Sequence, residues 1–144
     1  MDRDELAASI LAQLGEPAAR CVHARDGREH HLFRVALARG DRMLKIPRKD
    51  ALLDPFDASR TTHERLCGEG VAIGLARGVP VPGHYEVHLT TPTSATMDVL
   101  PGLTAEQALE KGQLDEEQLR RVWLQMGRML AHLHGVRRTG DGAE

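Results

Sequence analysis

The stretch Gly27-Arg28-Glu29-His30-His31-Leu32-Phe33-Arg34-Val35-Ala36-Leu37-Ala38-Arg39-Gly40-Asp41-Arg42-Met43-Leu44-Lys45-Ile46-Pro47 decides the fold. His31–Ala38 carries Leu32, Phe33, Val35 and Leu37, and Arg42–Pro47 carries Met43, Leu44 and Ile46. Two such runs around the glycine-containing turn Arg39-Gly40-Asp41 predict an antiparallel hairpin. Alternation puts Leu44 and Ile46 on one face and Lys45 on the other. Asp26-Gly27 is a turn signal. With Ala19–Arg25 as a strand before it, the hairpin becomes a three-stranded meander.

Outward from the meander, Leu6, Ile10, Leu11 and Leu14 form an apolar stripe that predicts a helix over Asp4–Leu14, stopped by Gly15 and Pro17. Arg48–Ser59 is polar, contains Pro55 and reads as a loop. Arg60–Ala76 has helical spacing in Leu66, Ile73 and Leu75. Gly68, Gly70 and Gly74 interrupt it, each costing about 1 kcal/mol against Ala in a helix. Val79-Pro80-Val81-Pro82 must be extended. Tyr85–Leu89 and Thr96–Leu100 read as strands joined by a turn at Thr90–Ser94, and Pro101-Gly102 ends the sheet. Thr104 caps a short helix to Lys111, with Gln107 placed for the reciprocal contact. Asp115 caps a last helix to Val136, whose Leu119, Val122, Trp123, Met126, Leu130 and Leu133 share one face. The order is helix, three strands, helix, two strands, two helices. That is an α+β fold with an antiparallel sheet of about five strands.

Composition narrows the function. The chain has 144 residues, the length of one domain, and 41% of them are hydrophobic. Its 19 Lys and Arg against 21 Asp and Glu give a net charge of −2, which argues against a dedicated nucleic-acid binder. One Trp, one Tyr and two Phe argue against a base-stacking platform. No apolar run approaches the ~18 residues of a membrane span. The acidic amino terminus has no signal-peptide pattern. Cys21 and Cys67 read as reduced thiols of a cytoplasmic protein. They lack a Cys-x-x-Cys partner. His30 and His31 are adjacent and His132 and His134 are two apart, so neither pair shares a helix face, and no metal site is expected. Arg120 and Arg121, with Arg137 and Arg138, read as a solvated face and a favourable helix end.

This order, with a motif in each place, resembles the amino-terminal lobe of the protein-kinase-like fold, and more specifically the aminoglycoside phosphotransferase and choline kinase family. Gly27 through Val35 resembles the family's nucleotide-positioning hairpin, implying contacts from Gly27, Arg28, His30 and Val35. Met43-Leu44-Lys45-Ile46-Pro47-Arg48 resembles the strand whose lysine meets the α- and β-phosphates. The stretch Glu69-Gly70-Val71-Ala72-Ile73-Gly74-Leu75-Ala76-Arg77-Gly78-Val79-Pro80-Val81-Pro82 is similar to the family's helix, whose Glu orients that lysine. Glu64 competes with Glu69. Five residues apart on a helix, the two face about 140° apart and cannot both meet Lys45. Thr96-Met97-Asp98-Val99-Leu100-Pro101-Gly102 resembles the hinge strand. It implies Met97 behind adenine, with the Asp98 carbonyl and the Leu100 amide reading its edge. The last helix is similar to the family's Leu-Gly-Arg-x-Leu-Ala-x-Leu-His sequence, where its role is packing.

The resemblance therefore implies a nucleotide-binding lobe over residues 1–102 and, over residues 103–144, linker helices leading to a carboxyl lobe that is absent here. In the family a His-Gly-Asp loop and a metal-binding Asp follow the last helix. Neither occurs in this sequence, and Gly140-Asp141-Gly142 has no His before it. The expectation is an ATP-dependent small-molecule phosphotransferase with an alcohol group as acceptor, represented by its ATP-binding lobe, truncated and inactive alone. No catalytic residue and no metal ligand is expected within this chain, and Mg²⁺ enters only with a carboxyl lobe. The alternative is a non-catalytic nucleotide- or protein-binding module. The partners implied are a nucleotide, and a carboxyl-lobe polypeptide or a second copy against the exposed hinge side; no nucleic-acid or membrane partner is expected. The acceptor stays open among aminoglycosides, macrolides, choline, amino sugars and other alcohols.

Overall fold

A computed structural model describes residues 1–76 and 78–135. Helix α1 spans Arg3–Gln13 and begins one residue before the apolar stripe predicts. Asp2 caps it, its carboxylate accepting the amides of Asp4 and Glu5, while Glu5 accepts the Asp2 amide at 2.9 Å. Gly15 ends it at φ 77°, where glycine carries no Cβ penalty. The Gly15 and Glu16 amides then close onto the carbonyls of Ala12 and Leu11.

The meander follows as β1 (Arg20–Asp26), β2 (His30–Leu37) and β3 (Gly40–Pro47). A one-turn helix α2 at Pro55–Ala58 corrects the loop expected over 48–59. Its cause is local: Asp54 caps the Phe56 and Asp57 amides, and Pro55 sits at the first helical position. Helix α3 covers Thr62–Leu75, despite its glycines. Strand β4 (Glu86–His88) is shorter than the sequence suggests, and β5 (Ser94–Asp98) has the expected length but begins two residues earlier. The turn between them contains a cis Thr91–Pro92 peptide. Val99 and Leu100 lie outside the strand. Helices α4 (Ala105–Glu110) and α5 (Glu116–His134) carry the expected caps at Thr104 and Asp115. Val136, Arg137, Arg138 and Gly140-Asp141-Gly142 lie outside the described residues.

The five strands form one antiparallel sheet in the order β1-β2-β3-β5-β4. Phe33 lies opposite Leu44 and His31 opposite Ile46. On that face Phe33, Val35, Leu44 and Ile46 form a core with Ala7, Ile10 and Leu11 of α1. Burying each large side chain there contributes about 1.5–3 kcal/mol. Gln13 then ties α1 to the β4–β5 turn. Its side-chain carbonyl accepts the Thr91 amide at 2.8 Å and its NH₂ donates to the Thr91 carbonyl at 3.3 Å.

Contacts divide the chain into two compact units, where the length alone suggests one. The first is Met1–Ile73 with Pro82–Val99; the second joins Gly74–Val81 to the chain from Leu100 onward. Within the second unit, none of the residues of α4 and α5 is buried. The α5 stripe is present as predicted, yet Trp123 is 64% and Leu130 53% exposed. No described helix is long and apolar enough to cross a membrane.

Candidate functional site

The face of the sheet away from α1 carries Lys45, which sits opposite Leu32 on β2 and Ala95 on β5. Strand alternation puts it there, because Leu44 and Ile46 are committed to the core. Helix α3 supplies its partner. Lys45 Nζ donates to Glu69 Oε1 at 2.6 Å, a charge-assisted contact. The structure thus brings together the two residues that the sequence pairs across 24 positions. Glu64 is engaged elsewhere: its carboxylate accepts the Thr61 amide at 2.7 Å and the Thr61 hydroxyl at 2.8 Å. Those bonds lower its pKa.

Glu69 has a second donor that the sequence reading misses. Tyr85 Oη donates to Glu69 Oε2 at 3.1 Å. Burial, the Glu69 charge and this bond raise the phenol well above its ordinary value. Gly70 makes room for the ring, since a Cβ there would sit 3.0 Å from Tyr85 Cδ1. One of the three glycines that weaken α3 therefore has a packing cause.

An open cleft of about 440 Å³ lies over this pair, lined by Gly27, Arg28, His30, Lys45, Glu69 and Met97, with Arg25, Glu29 and Leu32 completing its wall. Six of the residues singled out from the sequence meet there. The β1–β2 turn at its edge is closed by the Gly27 amide donating to the His30 carbonyl at 2.7 Å. Arg48, also missed, holds that turn from outside. Its backbone amide donates to the Glu29 carbonyl at 2.8 Å and its guanidinium to the Gly27 carbonyl at 3.0 Å. Asp50 grips the same guanidinium at 2.9 and 2.7 Å. A Cβ at Gly27 would lie 3.4 Å from the His30 carbonyl oxygen, so this turn does not demand glycine.

His30 is the least satisfied group in the cleft. Its Nε2 is buried without a hydrogen-bond partner among the described residues. Burial, then the Lys45 charge, push its pKa down to about 4, so the ring is neutral at pH 7.

The remaining expected residues fall elsewhere. Val35 is buried in the α1 core, one strand face away from Lys45, so its side chain does not line the cleft. The Asp98 carboxylate is held by Arg42 and by His84 Nδ1 at 2.7 Å, and its amide donates to the Gly83 carbonyl at 2.9 Å. A Cβ at Gly83 would come within 2.7 Å of Asp98 Oδ2, so any larger residue there must displace that carboxylate. Leu100 belongs to the second unit and is about half exposed.

The lining combines the cations Arg25, Arg28 and Lys45 with the carboxylates Glu29 and Glu69 and the apolar side chains Leu32 and Met97. Such a lining suits a ligand with an anionic end and a flat apolar end. No family model, no curated protein and no solved structure matches this chain.

Proposed function

We propose that this chain is the nucleotide-binding lobe of an ATP-dependent phosphotransferase acting on a small-molecule hydroxyl, of the aminoglycoside phosphotransferase type. The observation that carries the reading is the Lys45–Glu69 pair, set beside the β1–β2 turn in an open cleft. In this reading Lys45 donates to the α- and β-phosphate oxygens and Glu69 holds its ammonium in place. Tyr85 fixes the carboxylate, Arg28 adds positive charge at the turn, and Met97 packs against the base. The cleft's own carboxylates are Glu29 and Glu69, and the second is committed to Lys45 and Tyr85. They do not fit an Mg²⁺ site, so the metal-binding groups and the catalytic base belong to a partner lobe outside these residues. The protein would act in the cytoplasm, with both cysteines as free thiols.

The test is calorimetric titration of ATP into the wild type, Lys45→Met and Glu69→Gln. A charged hydrogen bond contributes about 1.5–3 kcal/mol, so Lys45→Met should weaken binding about ten- to hundredfold. Unchanged affinity in Lys45→Met, or no binding by the wild type, removes the kinase reading. The exposed apolar stripe of α5 favours one alternative, a non-catalytic protein-binding module. That reading takes over if ATP fails to bind.

A further inference from the structure

A second cluster lies on the opposite face of the β1–β2 hairpin, apart from the cleft. In a regular strand residues three apart point to opposite faces. Between His23 and Arg25 the β1–β2 register shifts, so His23 pairs with Phe33 while Asp26 pairs with His31. This irregularity turns His23 and Asp26 to the same side, where His31 of the neighbouring strand joins them. His23 Nε2 lies 2.8 Å and His31 Nδ1 2.6 Å from the same oxygen, Asp26 Oδ1. All three ligand atoms fall within 4.8 Å of one another.

We propose that His23, Asp26 and His31 form a binding site for a divalent transition-metal cation of the zinc class. Two imidazoles and a carboxylate suit zinc, copper or nickel, whereas Mg²⁺ and Ca²⁺ take oxygen donors. Three protein ligands leave one position of a tetrahedron for water or a further donor. With arms of about 2.0–2.1 Å, ligand atoms in such a tetrahedron stand about 3.3 Å apart. The two contacts to Oδ1 need open by less than about 1 Å to admit the ion.

The outer contacts agree with this assignment. Arg3 Nη1 donates to Asp26 Oδ2 at 3.1 Å, which orients the carboxylate and leaves Oδ1 to the two rings. Ligating carboxylates are commonly held in this way. The side chains of His23, Asp26 and His31 keep 22%, 34% and 18% of their surface exposed, so an ion has a path in. Both strands are fixed by the sheet and joined by a short turn, so little ordering remains to be done on binding. The site does not depend on the nucleotide reading.

The experiment uses the full chain stripped with EDTA. Zn²⁺ is titrated in competition with a chromophoric chelator, and Co²⁺ is followed by its visible absorption. The expected result is one equivalent of metal per chain and a four-coordinate Co²⁺ spectrum without a thiolate charge-transfer band. Asp26→Asn and His31→Gln should each lose more than about a hundredfold in affinity, and Arg3→Ala about tenfold. His63→Ala is the control, because His63 Nε2 and Cys67 Sγ, 3.5 Å apart on α3, are a competing donor pair. Its affinity should equal that of the wild type. Zinc should also raise the Tm of the wild type and not that of Asp26→Asn. Absence of competitive binding, a thiolate band, or unchanged affinity in Asp26→Asn overturns the proposal.

Discussion

His30 reports the electrostatics of the cleft more directly than Lys45 does. In the fold its ring is held near pKa 4, against an ordinary value of 6.5. Well above pH 6.5 the ring is neutral whether the chain is folded or not, and stability does not depend on it. Between about 6.5 and about 4 the unfolded chain binds the proton and the folded chain does not, so stability falls as pH drops. Below about 4 both states are charged and the loss stops. Burial lowers His88 as well, and carboxylates held below their ordinary range, such as Glu64, add to the slope toward its acid end. His30→Phe should reduce the pH slope of the urea-unfolding free energy in this window and leave those other shares; an unchanged slope refutes the assignment. Tyr85→Phe is expected to cost about 1–2 kcal/mol in the same measurement, because it strips a hydrogen bond from a charged group.

The glycines of α3 separate helix propensity from packing. Gly68 is exposed, and a Cβ there would meet only the end of the flexible Arg60 side chain, at 3.9 Å. Gly68→Ala should therefore stabilise the protein by about 0.5–1 kcal/mol. Gly70→Ala should not, since its methyl would push Tyr85 off Glu69. Thermal unfolding of the two variants decides this; equal gains would mean that the Tyr85 packing carries no weight. Elements with strong periodicity were legible in the sequence: the hairpin, α1 and α5. A single helical turn such as Pro55–Ala58 carries no period, and only Asp54-Pro55 could have signalled it. Helix geometry allowed only one of Glu64 and Glu69 to meet Lys45 without saying which, and the contact itself decides for Glu69. Tyr85 and the His23–Asp26–His31 cluster were not legible. The first contact crosses between elements, and the second depends on a register shift that no residue pattern announces.

Over the whole chain, the core of α1 and the meander lies in the first unit, and the second carries the apolar stripe of α5. Along α5, Trp123, Met126, Leu130 and Leu133 sit on one face and all are exposed. A stripe of this kind favours association. Sedimentation velocity should show concentration-dependent self-association that Trp123→Ser with Leu130→Ser reduces. A monomer at every concentration would show that the stripe does not pair with itself. The Gln13 contact to Thr91 has a different consequence, for the order of events during synthesis. Every residue of the α1 core lies between Ala7 and Ile46, so helix and meander can settle while the rest is still being translated. The amide of Gln13 must wait for a backbone 78 residues downstream. It works as a late fastener, closing only once the far edge of the sheet has left the ribosome.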